Sequence, residues 1–123
     1  MKILQNWLGG VGGFADEIET MILVTAKESC YLIDEQYQYV VSSSILAGYL
    51  SLALEATGIG ACVIQRPVIY SKEWNRIRTE LKIPGDEQII CILGCGMPES
   101  EYRVPLSYRL PVEDIAVFHR IDD

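Results

Sequence analysis

Apolar and polar positions along the chain fall into a few blocks. Residues 1–18 are Gly-rich and weakly patterned, with Gly9, Gly10, Gly12 and Gly13 pointing to a flexible lead-in. Residues 20–26 (Thr-Met-Ile-Leu-Val-Thr-Ala) form a short apolar run of strand length, predicted to be buried on both faces. A long apolar stretch follows, with Asp34 as a plausible N-cap and Gly58 as a plausible C′ residue. The pattern predicts one helix over 34–57, roughly 35 Å long at 1.5 Å per residue. It is apolar nearly all round, so both of its faces need cover. A domain this small can hardly cover both alone, which implies a partner chain, expected to be a second copy.

Residues 61–65 read as a short strand. Ser71 is placed to cap a second helix over 72–81, with Trp74, Ile77, Arg78 and Leu81 at helical spacing. Glu73, Arg76 and Glu80 occupy its solvent face. Ile83-Pro84-Gly85-Asp86 is a turn, and 88–93 is another buried strand. Pro98 ends that strand and opens a tail punctuated by Pro105 and Pro111, with 112–120 extended or briefly helical. Strand, helix, strand, helix, strand suggests α/β layering and, from this pattern alone, a parallel sheet.

At 123 residues the chain is one domain, 1–123, and half its residues are apolar, enough for a core. The net charge of −7 gives no basic stripe for phosphates and disfavours nucleic acid and anionic membranes. The stretch 40–56 approaches the length of a membrane span. Its three consecutive serines and Glu55 favour a buried helix in a soluble protein instead. The first ten residues make a poor signal peptide. Of the four cysteines, Cys62, Cys91 and Cys95 lie in apolar runs, which fits reduced, buried thiols in a cytoplasmic protein.

The candidate chemistry is sparse. Gly10-Val11-Gly12-Gly13-Phe14-Ala15 matches a dinucleotide-loop pattern but precedes the first strand instead of following one. Cys91 and Cys95 share a strand face without the ligand set of a zinc site, so no metal is expected. His119 is the only histidine, and no Ser-His-Asp or Cys-His constellation exists. No side chain is therefore nominated as catalytic. Gly58-Ile59-Gly60 can be a plain helix stop, or a place where small residues let the backbone approach a flat ring. Arg109, between Pro105 and Pro111, can be a surface arginine paired with Glu113 or Asp114, or an aimed phosphate fork.

In order, the chain carries Gly58-Ile59-Gly60-Ala61-Cys62-Val63-Ile64-Gln65, Leu81-Lys82-Ile83-Pro84-Gly85-Asp86-Glu87, Gly94-Cys95-Gly96-Met97-Pro98 and Tyr108-Arg109-Leu110-Pro111-Val112-Glu113-Asp114-Ile115. This ordered set, over roughly residues 18–118, resembles the C-terminal part of the nitroreductase family of flavin enzymes. The resemblance implies a three-layer α+β fold: a mixed β-sheet with helices on both faces, built as an intertwined homodimer through helix 34–57. It implies flavin mononucleotide (FMN) as cofactor, NADH or NADPH as donor, and an electron-poor acceptor such as a nitroaromatic or quinone.

Carried onto this chain, the resemblance puts Val63, Ile64, Gln65 and Arg66 beside the flavin and Arg109 on its phosphate. Ser107 stands where a basic residue often sits. The family's leading Arg-Arg-Ser and Ser-x-x-Asn-x-Gln segments have no counterpart here, so the chain looks like a member lacking its N-terminal portion. Without those arginines, a non-catalytic dimerisation or flavin-binding module is the alternative.

Overall fold

The computed structural model describes residues 11–65 and 71–119, without the side chains of 71–74. Three strands form one sheet: β1 (Thr20–Lys27), β2 (Gly60–Ile64) and β3 (Glu87–Gly96), in the order β1-β3-β2. Helix α1 (Gln38–Ala56) joins β1 to β2, α2 (Ser71–Glu80) precedes β3, and α3 (Val112–Ile115) is a single turn in the tail. Both strand pairings are antiparallel, with Val63 opposite Leu93 on one side of β3 and Ile22 opposite Leu93 on the other. The parallel sheet suggested by strand–helix alternation is thus corrected. β1 and β2 do run in the same direction, but β3 is inserted between them.

β3 is the core because it alone has a strand on each side and a layer on each face. A bulge sets which residue faces which layer: Val24 pairs with Cys91 and Thr25 with Ile89, leaving Ile90 without a counterpart. Consequently Ile90 and Cys91 both pack with Val24 and with Ala47 of α1. Ile89 and Ile92 instead join Val11, Ile18, Ile64 and Ile77 of α2 on the opposite face. The three-layer arrangement, helices on both faces of the sheet, is therefore present. Residues 11–18, expected as a loose lead-in, are packed: Val11 and Ile18 are buried, and a short 3-10 helix spans Ala15–Glu17. The dinucleotide-like pattern ends in this three-residue turn, which precedes β1 and opens no α-helix.

The long helix is shorter than expected, about 28 Å for its 19 residues. Asp34 does not cap it. Asp34 lies in a separate 3-10 turn, Ile33–Glu35, closed by the Leu32 amide donating to Glu35 Oε2 at 2.8 Å. Gln36 is then extended and Tyr37 left-handed at φ 74°, so α1 can begin only at Gln38. Its other end follows the prediction. Gly58 (φ 81°) is C′ of a Schellman stop, with Ile59 N–H donating to Leu54 O and Gly58 N–H to Glu55 O.

α1 lies along the sheet in contact with all three strands. It is also long and apolar enough to cross a membrane by length and composition. Ser43, Ala47, Leu50 and Leu54 form the stripe turned inward, all buried or half-buried. Val41, Ile45, Gly48 and Leu52 form the opposite stripe, and all are exposed. Helical spacing explains this: each set repeats at three or four residues, and the two sets lie about half a turn apart. The expectation that both faces are apolar holds, but a single copy covers only one.

Candidate functional site

β2 has only β3 as a neighbour among the described residues, so it is an edge strand. Alternate residues of such a strand present unpaired backbone groups outward. Val63 shares a face with Leu93 and is 44% exposed, whereas Ile64 is 5% exposed and packs under Ile92. Gln65 follows the last strand residue and is exposed. Of the sequence-nominated group, Val63 and Gln65 are accessible, and Ile64 serves the core. Arg66 lies outside the described residues.

Arg109 is exposed in the tail, where its Nη1 donates to the Tyr108 carbonyl at 3.3 Å. None of the described hydrogen bonds or ion pairs joins it to β2. Nor does it pair with Glu113 or Asp114, the plain surface reading. The backbone around it forms no regular element and its apolar neighbours are exposed, so no contact among the described residues holds the guanidinium against the sheet.

The glycine turn opens on the other end of β2. Gly60 faces Gly96, and a cleft of about 280 Å³ there is bounded by Phe14, Ile18, Cys62, Gly94 and Pro98. Gly94 is closely packed: a Cβ there would stand 3.2 Å from both Ile18 Cδ1 and Ile64 Cδ1, so those side chains would have to give by a few tenths of an ångström. The Gly94-x-Gly96 spacing within β3 was the signal for this feature.

All four cysteines are free. Cys91 and Cys95 share the face toward α1, and burial pushes both thiols above the usual range. Cys62, expected to be buried, is exposed because it sits on the edge strand; Cys30 is exposed as well. No group of three metal-ligating side chains occurs among the described residues.

No protein-family model and no curated protein matches the chain. Solved structures do. An FMN-dependent nitroreductase from Clostridium difficile R20291 superposes with a TM-score of 0.69 at 24% identity, covering 94% of this chain and 69% of that one. A structure from Parabacteroides distasonis ATCC 8503, assigned as an NADH dehydrogenase/NAD(P)H nitroreductase, superposes with a TM-score of 0.73 at 21% identity, covering 94% and 64%. A similarly assigned structure from Bacteroides thetaiotaomicron VPI-5482 gives 0.71 at 18%, covering 88% and 60%.

The chain has the nitroreductase fold. It spans 60–69% of the length of these three structures.

The chain's residues fit the ring side of an FMN site better than its phosphate side. Val63 supplies accessible apolar surface, the free edge of β2 supplies backbone donors, and the Gln65 amide lies at the strand's end. On the phosphate side, Arg109 is the one nominated cation whose position is described, and it is not assembled with β2.

Proposed function

We propose that this chain is the nitroreductase-fold part of an FMN-dependent oxidoreductase, passing hydride from NADH or NADPH to a nitroaromatic or quinone acceptor. The observation that carries this reading is the overlap of 94% of the chain with an FMN-dependent nitroreductase, with an open apolar edge strand where the resemblance puts the ring. When bound, FMN supplies the hydride chemistry itself.

The chain's own residues bind and orient. Val63 covers part of the ring face, β2 amides and the Gln65 side chain hold its polar edge, Arg66 lies beside the ring, and Arg109 neutralises the phosphate. No side chain need move a proton, in keeping with a single histidine, His119, exposed in the tail. Two copies pair through the outward stripe of α1, which brings the tail and Arg109 of one copy within reach of its partner. A cytoplasmic location follows from the same reading.

The unassembled Arg109 favours a second reading: a dimerisation module with the same fold that binds flavin weakly and does no chemistry. A visible absorption spectrum, taken after adding FMN and removing the excess, separates them. Retained flavin absorbance followed by NAD(P)H oxidation supports the enzyme. A stable dimer that retains no flavin leaves only the module.

A further inference from the structure

Between β1 and α1 the chain folds into two 3-10 turns, Glu28–Cys30 and Ile33–Glu35. With the first turn of α1 they enclose a cleft of about 360 Å³ whose lining includes Tyr31, Tyr37, Tyr39, Glu28 and Glu35. That volume lies within the range of small-molecule sites. The Tyr31 and Tyr39 rings have centroids 6.1 Å apart and planes inclined by 57°, so they form two walls of a corner and not a closed stack. Tyr37, a third aromatic lining residue, stands on a left-handed backbone at φ 74°, a conformation that non-glycine residues adopt at a cost.

The charge in this cleft has one sign. Its lining holds two carboxylates and no lysine, arginine or histidine. Each carboxylate meets a neutral donor only: Glu28 Oε2 accepts from Gln88 Nε2 at 3.2 Å, and Glu35 Oε2 accepts from the Leu32 amide at 2.8 Å. The adjacent Lys27 is engaged elsewhere, with Asp86 Oδ2 3.2 Å from its Nζ. The N-terminal end of α1 opposes a bound cation, but its effective charge is about +0.5 against two full negative charges.

We propose that this cleft binds a small organic cation, a methylated or quaternary ammonium group seated among Tyr31, Tyr37 and Tyr39 and balanced by Glu28 and Glu35. Aromatic faces attract a weakly hydrated cation through their quadrupoles. No group of three His, Cys, Asp or Glu side chains gathers among the described residues to hold a hard divalent ion. The site is separate from β2, and this inference does not rest on flavin binding.

The test is an NMR titration of the full chain with choline chloride, at constant chloride balanced by sodium. A parallel titration uses 3,3-dimethylbutan-1-ol, the neutral isostere. Choline should produce saturable shifts of the Tyr31 and Tyr39 ring protons, and the alcohol should bind about tenfold more weakly. Tyr37→Gly relieves the left-handed strain and so preserves the fold; it should weaken choline about threefold, as should Glu28→Gln. Equal affinity for choline and the alcohol would overturn the proposal, as would no saturation below about 100 mM, the affinity that about two exposed aromatic contacts together provide. Either variant binding choline as well as the parent would do the same.

Discussion

β3 and the tail that follows it are consecutive in sequence and similarly rich in apolar residues, yet they end in opposite environments. Ile92 and Leu93 are 0% exposed, whereas Leu106 is 101% exposed and Val104, Tyr108, Val117 and Phe118 are nearly as open. Intrinsic hydrophobicity does not separate the two regions; neighbours do. β3 has strands on both sides and helices on both faces, while the tail after Met97 has no layer to lie against among the described residues of its own chain. The outward stripe of α1 shares that condition. So much apolar surface on a small chain marks interaction surface, and a second copy is the occupant proposed above.

The comparison breaks most sharply by mutation in the core. Ile92→Ala should destabilise the chain by about 2–5 kcal/mol in urea unfolding, because the site is closed on all sides. Leu106→Ala should change the stability of an isolated copy by under about 0.5 kcal/mol. A comparable loss at Leu106 would show that the tail is already buried in solution.

Next is the α1 stripe. The double variant Leu52→Asp with Ile45→Asp should convert a dimer to monomer or aggregate in light scattering, with the helix itself retained by circular dichroism. An unchanged dimer would remove α1 as the interface. Leu50 is the poorer choice, since it is half-buried on the inward side.

Smaller effects test the ends of α1. Gly58→Ala must place a Cβ on a left-handed backbone at φ 81°, where the cavity is otherwise open, so about 1–2 kcal/mol of stability should be lost from conformation alone. An unchanged urea midpoint would mean that the Schellman stop is not rigid.

The smallest effect is electrostatic. Hydrogen bonding to Lys27 lowers the Asp86 carboxyl below its ordinary range, and Asp86 in turn raises Lys27. A depressed carboxylate stabilises the fold above its unfolded pKa, and that contribution disappears as pH falls through the folded value. Both side chains are exposed to solvent, so the contribution is slight. Asp86→Asn should lower the melting temperature marginally at neutral pH and reduce its fall below the ordinary carboxylate range. Identical acid limbs for parent and variant would show that the pair is inert.

Much of this architecture was legible in the residues. The run 20–26 became β1 with one residue added, Gly58 stopped the long helix, and the spacing of Ile77 put a fully buried side chain in α2. The helix start was misread because Asp34 is a good cap by type. What decided the start was Glu35 turning back onto the Leu32 amide and Tyr37 going left-handed, neither of which has a periodic signature. The candidate site was less legible. Val63 and Gln65 came out accessible, but Ile64 was claimed by the core, and Cys62 was exposed because an apolar run cannot report that its strand lies at an edge. The tyrosine cleft has no periodic signature, because Tyr31, Tyr37 and Tyr39 are brought together by two irregular turns.

The sequence by itself determined the elements, since hydrophobic period, helix stops and turn chemistry act over a few residues. Those same signals made α1 apolar on both sides. Only the tertiary structure decided that β3 lies between β1 and β2, that a bulge at Ile90 puts the neighbours Ile90 and Cys91 on the same layer, and which stripe of α1 faces the sheet. Strand order and facing are settled by long-range pairing, and a one-residue shift in register exchanges the faces of a strand without altering its local preferences.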